Sequence, residues 1–147
     1  MTRAPHIVIV VSFAAALTAV ACAARTHKAL VTFDATALAS VQTIASTERQ
    51  LSAAGLLSLP SALALRQKLA PVITLGQSST KALILWQSGQ PIPPDLLALS
   101  DAIGKLLTEV VTLIPDGSAK SQLLTAIATA QAAWQAVLVV IVKGGTP

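Results

Sequence analysis

The sequence is poor in charged and in aromatic side chains. Of its 147 residues, 11% are charged and 3% are aromatic, tyrosine is absent, and 54% are hydrophobic. Ordinary soluble domains carry about a quarter charged residues. We therefore expect so apolar a chain to lie near a membrane, to associate with itself, or to have part of its surface covered by a protein partner.

The scarcity of charge also argues against a nucleic-acid partner. The ten basic residues outnumber the six acidic ones, but they are scattered singly along the chain. Nucleic-acid binders need a basic stripe, and those that bind single strands usually add aromatic platforms. We expect no nucleic-acid partner.

Reactive groups are equally sparse. A single cysteine excludes a disulfide within the chain. Histidine, aspartate and glutamate do not cluster at metal-ligand spacing, and there is no phosphate-binding loop. Ser78 and Ser79 lack the G-x-S-x-G context of a nucleophile. The sequence predicts a protein that is not an enzyme, with no catalytic residue, no metal and no cofactor.

The feature that dominates the sequence is an apolar run from Ile7 to Ala24, with no charged residue between Arg3 and Arg25. A positive start, an apolar core and small residues before a cleavage point are typical of a secretory signal. The run is also just long enough to span a bilayer as a retained anchor. The flanking charges are nearly balanced, so the positive-inside rule does not decide the orientation of such an anchor.

The only cysteine, Cys22, lies where this apolar run ends. The residues Ala19-Val20-Ala21-Cys22 resemble the lipobox of bacterial lipoproteins, with alanine where leucine is usual. That resemblance implies lipid attachment at Cys22. A lipoprotein signal, a plain cleaved signal and a retained anchor all remain open. We expect residues 1–24 to be the signal or anchor and residues 25–147 to be an exported domain on the periplasmic side of the cell envelope.

The first helix of this domain is predicted from Ala29 to Ala54, with Gly55 as its stop. The four residues before it, Arg25 to Lys28, are interpreted as a polar tether in which His27 is solvated. Asp34 would then lie near the positive end of the helix dipole. Glu48 and its two polar neighbours are expected on a solvated face.

The second helix is predicted to run from Pro60 to Gln87, with Ser58 as its capping residue and Pro60 in its first turn. Pro71 is expected to kink or break it. The small residues Gly76 and Ser79 would let two helices approach closely. The proline-rich stretch that follows indicates a rigid loop.

The third helix, opened by Pro94 and Asp95, has the clearest pattern in the chain. Apolar residues step by three and four along one seam, at Leu96, Leu99, Ile103, Leu106, Val110 and Leu113. Four more residues are expected to widen this stripe: Leu97, Leu107, Val111 and Ile114. Asp101, Lys105 and Glu109 follow one another at i, i+4 spacing on the opposite face, which indicates surface ion pairs rather than acid–base chemistry.

The fourth helix is predicted from Ala119 to about Lys143, with a stripe of Ile127, Ala130, Trp134, Val137 and Ile141. The segment Leu123 to Val142 is apolar enough for a membrane span. Gln131 and Gln135 favour a bundle helix instead, because their amides would need partners in hydrocarbon.

Four helices joined by short turns predict an all-α, up-down four-helix bundle preceded by an N-terminal hydrophobic signal or anchor helix. The function expected of it is that of a small envelope-anchored protein acting by structural or protein–protein contacts. Two alternatives remain: a membrane-active, holin-like protein with two spans, and a carrier of an apolar ligand between its helices.

Overall fold

The computed structural model describes the backbone of residues 5–87 and 89–144, and the side chains of residues 24–87 and 89–142. This part of the chain forms four α-helices and no strand: α1 Pro5–Ala53, α2 Leu59–Leu85, α3 Pro94–Leu113 and α4 Ser118–Gly144. Each helix packs against the next, and α1 also packs closely against α4. The fold is therefore the all-α four-helix bundle that the sequence predicts.

Two contacts fix the antiparallel register of α1 and α4. The hydroxyl of Ser40 donates a hydrogen bond to the backbone carbonyl of Ala126 at 2.8 Å. About two turns nearer the start of α1, the ring of Phe33 lies 4.9 Å from that of Trp134. Residue numbers thus rise along α1 as they fall along α4, so the end of α4 lies beside residues 24–28 of α1.

The apolar run and the first helix of the bundle are one continuous helix, α1, of 49 residues. The polar tether expected at Arg25–Lys28 is wrong, because those four residues are helical. Neither proline nor glycine occurs between Pro5 and Ala53, so nothing in the sequence forces a break. The placement of Asp34 near a helix start is wrong for the same reason: it lies in the middle of α1.

The buried face of α1 is a regular stripe. Its fully or almost fully buried side chains recur every three or four residues, at Leu30, Phe33, Ala37, Val41, Ile44 and Glu48. The stripe packs against α4 and α2. Apolar burial along this one seam holds α1 in the bundle.

Helix α2 begins as the sequence predicts. The hydroxyl of Ser58 accepts a hydrogen bond from the backbone N–H of Ser61 at 3.3 Å, and Pro60 lies in the first turn. Of the kink or break expected at Pro71, the break does not occur, since α2 continues to Leu85. Pro71 lies on the exposed face, where water can reach the carbonyl that loses its N–H partner.

Five of the six residues of the seam predicted for α3 are buried, namely Leu96, Leu99, Ile103, Leu106 and Val110. The sixth, Leu113, is only partly buried. The predicted widening of that stripe is only partly correct. Ile114 is buried, whereas Leu97 and Val111 are about half exposed. On α4, the buried residues Leu123, Ile127, Ala130 and Val137 form the matching stripe.

The close approach expected at Gly76 is present between α2 and α1. A Cβ atom at this position would lie 2.4 Å from Cδ2 of Leu38. We expect Gly76→Ala to lower the free energy of unfolding by about 1 kcal/mol, because Leu38 must leave its place. Urea unfolding measures the change.

Gly104 in α3 is the matched control for this substitution. A Cβ atom there would meet no atom within 4 Å. Gly104→Ala should therefore stabilise the protein by about 0.5–1 kcal/mol through helix propensity alone. Equal gains at both positions would show that α1 and α2 do not approach each other at Gly76.

Candidate membrane-facing end of the bundle

The one site residue predicted from the sequence, Cys22, lies outside the residues whose side chains the structure describes. The same holds for the side chains of the apolar run up to Ala23. The described backbone nevertheless continues through both as part of α1. The end of the bundle that α1 passes on its way to Cys22 is therefore a candidate functional surface.

This end is fixed by a contact between α1 and α2. The imidazole of His27 stacks on the indole of Trp86, with ring centroids 5.9 Å apart and planes inclined by 18°. Trp86 caps α2, and its indole N–H donates to the carbonyl of Pro91 at 3.1 Å, which ties the following loop to the same place. His27 is exposed, as expected, but it lies in a helix and has an aromatic partner.

We call this surface the proximal end, because it is the end of the bundle nearest the apolar run. It comprises residues 24–28 of α1, residues 81–87 of α2 and residues 138–142 of α4. The α4 residues belong to it because Phe33 faces Trp134 and both helices rise by about 1.5 Å per residue in opposite directions.

The proximal end exposes large apolar side chains. Ile84 is 77% exposed, Leu85 is 78% exposed and Val142 is 69% exposed. Val139, one turn before Val142, is half exposed. Exposure of this extent at one end is unusual for a surface that faces only water, and such patches mark contacts with proteins or membranes.

The cations of the proximal end are unpaired in the described part of the chain. Arg25, Lys28 and Lys81 are exposed and take part in none of its four ion pairs. Only two acids of the described chain lie nearby: Asp95, which accepts a hydrogen bond from Ser78, and the buried Asp34. The proximal end is thus both apolar and positively charged.

A buried polar cluster lies next to this end, between α1 and α2. The carboxylate of Asp34 accepts hydrogen bonds from the hydroxyls of Ser79 and, at 2.7 Å, Thr80. Both hydroxyls also lie within 2.9 Å of the carbonyl of Gly76. Ser79 is fully buried, so the cluster links α1 to α2 by buried hydrogen bonds. Local sequence does not predict this cluster, since Asp34 and its partners belong to different helices.

A second buried acid is Glu48, which lies on the seam of α1, although the sequence predicts it on a solvated face. That interpretation is wrong: Glu48 is 2% exposed, and Nε and Nη2 of Arg66 on α2 lie 3.0 and 2.9 Å from its Oε1. The hydroxyl of Ser52 donates to the same oxygen at 2.9 Å. The hydrogen bond from Arg66, opposed by burial and assisted by Ser52, lowers the pKa of Glu48 from its ordinary value.

The lowered pKa of Glu48 predicts a pH dependence of stability. A carboxyl whose pKa is lower in the folded than in the unfolded state adds stability that is complete above the unfolded pKa and disappears as pH falls through the folded one. The urea concentration at the unfolding midpoint should therefore decrease as the pH is lowered from about 5 to about 3. Arg66→Gln should remove most of this pH-dependent loss of stability.

Arg49 provides the control for this experiment, because it is the weakest of the named influences on the pKa of Glu48. Arg49→Gln should leave most of the acid-dependent loss in place. The exposed Asp116, whose pKa is lowered by its bond to Lys120, contributes the same background to both variants. An identical pH profile in the Arg66 and Arg49 variants would contradict the assignment to the Glu48–Arg66 pair.

A groove of about 430 Å³ lies between α2 and α3. Its wall is largely apolar, with Pro71, Val72 and Leu106 among its lining residues, and Lys68 and Lys105 stand at its rim. Both lysines are engaged in ion pairs, with Glu109 at 3.7 Å and with Asp101 at 3.0 Å respectively. Within the described residues, no three His, Cys, Asp or Glu side chains are placed to hold a metal ion.

Two helical stretches of the described chain, Ala24–Ala53 and Ser118–Val142, are long and apolar enough to cross a membrane. Core helices of soluble bundles meet the same criterion, so these stretches are weak support for membrane association. In comparisons with known proteins, no family model, no curated protein and no solved structure matches the chain.

Proposed function

We propose that this chain is a small envelope-anchored helical-bundle protein that acts through contacts and has no chemistry of its own. A membrane attachment within residues 1–24 holds it to the membrane, and residues 25–147 form the exported bundle. The observation that carries the proposal is the continuity of α1, which leads from the apolar run into the buried seam of the bundle without a break.

The exposed face of α4 supports a bundle outside the bilayer. From Ser118 to Gln135, the exposed residues of this helix are serine, threonine, glutamine and alanine. Large apolar residues are exposed only beyond Gln135, at Leu138, Val139 and Val142. A lipid-facing span needs an apolar exterior along its whole length, whereas α4 has one only in its last two turns.

The alternative with two membrane spans rests on the same helix. The stretch Ser118–Val142 has a mean hydropathy of 1.7, and 17% of its most apolar window is buried. If α4 left the bundle, its seam residues Leu123, Ile127 and Ala130 would face lipid. The polar exposed face of α4 makes this the second candidate.

Alkaline carbonate extraction separates the two candidates. The full chain and a shortened chain that begins at Ala24 are expressed in bacterial cells, and their membranes are washed. We expect the full chain to stay in the membrane and the shortened chain to be released. Retention of the shortened chain would support a second span, and release of the full chain would contradict the anchor.

The mode of anchoring follows from Cys22. We propose that its thiol carries the lipid of a bacterial lipoprotein, because it is the only cysteine and lies where the apolar run ends. Mass spectrometry of the mature protein should find a lipid-modified Cys22 at the N-terminus, and Cys22→Ser should abolish labelling with palmitate. An unmodified N-terminus at Ala24, or an intact Met1, would contradict lipid attachment.

The contacts themselves are proposed at the opposite end, around the turn between α1 and α2. Leu56 is 63% exposed and Leu59 is 69% exposed there, and Leu63 is half exposed on the next turn. This distal end points away from the membrane in an anchored bundle, so it is the surface available to a protein partner or a second copy.

A further inference from the structure

The proximal end exposes both apolar side chains and cations, the combination expected of a surface that binds a membrane. Ile84, Leu85 and Val142 are exposed at the last turns of α2 and α4, and Arg25, Lys28 and Lys81 are exposed without ion-pair partners in the described chain. Interfacial segments bind anionic lipids through this combination of buried apolar area and basic residues.

Helix α1 extends beyond the other helices at this end. Helix α1 begins at Pro5, but its partners α2 and α4 end beside residues 24–28 of α1. The apolar run from Ile7 to Ala24 therefore leaves the bundle at the proximal end. Lipid attachment at Cys22 would place acyl chains two residues before Ala24. Both forms of anchoring bring the same surface against the bilayer.

We propose that the proximal end is a docking surface for an anionic phospholipid membrane. Arg25, Lys28 and Lys81 contact the headgroups, and Ile84, Leu85 and Val142 enter the interfacial layer. Trp86, half-buried against His27, lies at the boundary, where an indole with one wet edge is stabilised. The bundle is thereby held upright on the membrane with its distal leucines facing away.

This inference rests on the proposed function, because docking presupposes that residues 1–24 or the lipid on Cys22 bring the bundle to a membrane. Charge favours lipid over a second copy of the chain as the occupant. Two copies joined at their proximal ends would bring six unpaired cations together, and repulsion between like charges disfavours that contact. Anionic lipid neutralises the same groups.

The test uses the full chain reconstituted into vesicles of phosphatidylcholine, with or without about a third phosphatidylglycerol. Bromine is placed on the acyl-chain carbons nearest the headgroups. Trp134→Phe leaves Trp86 as the only tryptophan, and Trp86→Phe leaves Trp134, which lies about 9 Å farther along α1 from this end. Circular dichroism confirms that both variants are folded, and flotation confirms that they are bound to vesicles.

We expect strong quenching of Trp86 in anionic vesicles, weak quenching in neutral ones, and none of Trp134 in either. Lys28→Gln with Lys81→Gln should lower the equilibrium constant for docking about fivefold for each cation removed, whereas Arg49→Gln, at the other end of α1, should not. Ile84→Ser with Leu85→Ser should also reduce quenching. The equally exposed distal pair, Leu56→Ser with Leu59→Ser, should have no effect.

Three results would overturn the proposal in distinguishable ways. A chain that floats with vesicles but shows no quenching of Trp86 would disprove docking and leave the anchor standing. A chain that does not float would disprove the anchor and docking together. Shielding of Trp86 from iodide in detergent, increasing with protein concentration, would show that a second copy covers this end.

Discussion

Phe33→Ala should lower the free energy of unfolding by about 3–5 kcal/mol, the range observed when a buried phenylalanine is truncated. Phe33 is fully buried at the middle of α1. Its ring also packs at a tilt of 54° against Trp134 of α4, a geometry that adds about 0.5–1.5 kcal/mol beyond the buried area. Urea unfolding at neutral pH measures the loss.

Val31, two residues earlier on the same helix, is the matched control. It is 43% exposed, so Val31→Ala should change the free energy of unfolding by about 0.5 kcal/mol or less. Comparable losses at the two positions would mean that α1 is surrounded by apolar material on all sides. That result would contradict the packing of α1 along a single seam.

The second large effect is expected on α3. Ile103 is 1% exposed and Leu106 is 2% exposed, and both lie on the seam that faces the other helices. Truncation of either to alanine should leave a cavity and cost about 2–5 kcal/mol. Thermal unfolding followed by circular dichroism should show a correspondingly large fall in Tm.

Lys105 lies between these two residues in sequence but on the opposite face of α3. Its side chain is 77% exposed and pairs with Asp101, which is 69% exposed. Lys105→Ala should therefore cost less than about 0.5 kcal/mol, the usual contribution of an exposed i,i+4 pair. A Lys105 variant as unstable as the Ile103 variant would show that α3 has no solvent face.

The seam of α3 could be predicted from the sequence because a single helix carries the whole signal. Leu96, Ile103 and Val110 repeat at the period of a helix, and charged residues occupy the other face, so no knowledge of a partner is needed. The same reasoning succeeded for the Ser58 cap and for the approach at Gly76. Leu97 was misassigned because an apolar residue beside the seam can be exposed without cost.

The burial of Glu48 could not be predicted from the sequence of a single helix. Its position on the α1 seam was visible in the spacing, but a carboxylate is almost never fully buried without a partner. The partner, Arg66, lies on another helix, and local sequence does not reveal that contact. The Asp34 cluster was missed for the same reason, since Ser79 and Thr80 are brought to Asp34 only by the packing of α2 on α1.

The continuity of α1 was missed for a different reason. The polar residues Arg25 to Lys28 suggest a tether because they interrupt two apolar stretches. Polarity does not end a helix, however; proline, glycine or a competing cap does. Since none occurs there, the helix continues. This continuity places the proximal end where α1 leaves the bundle, and the expected domain boundary at residue 24 gave no hint of such a surface.

The most direct test of a bundle outside the bilayer is the fluorescence of Trp134 in a Trp86→Phe variant that begins at Ala24. Trp134 is half-buried against Phe33 and lines a pocket with Gln131 and Gln135. The bundle predicts blue-shifted emission in plain buffer, lost cooperatively with denaturant and unaffected by lipids brominated deep in their acyl chains. Quenching by those lipids, together with aggregation in their absence, would contradict the bundle and establish α4 as a membrane span.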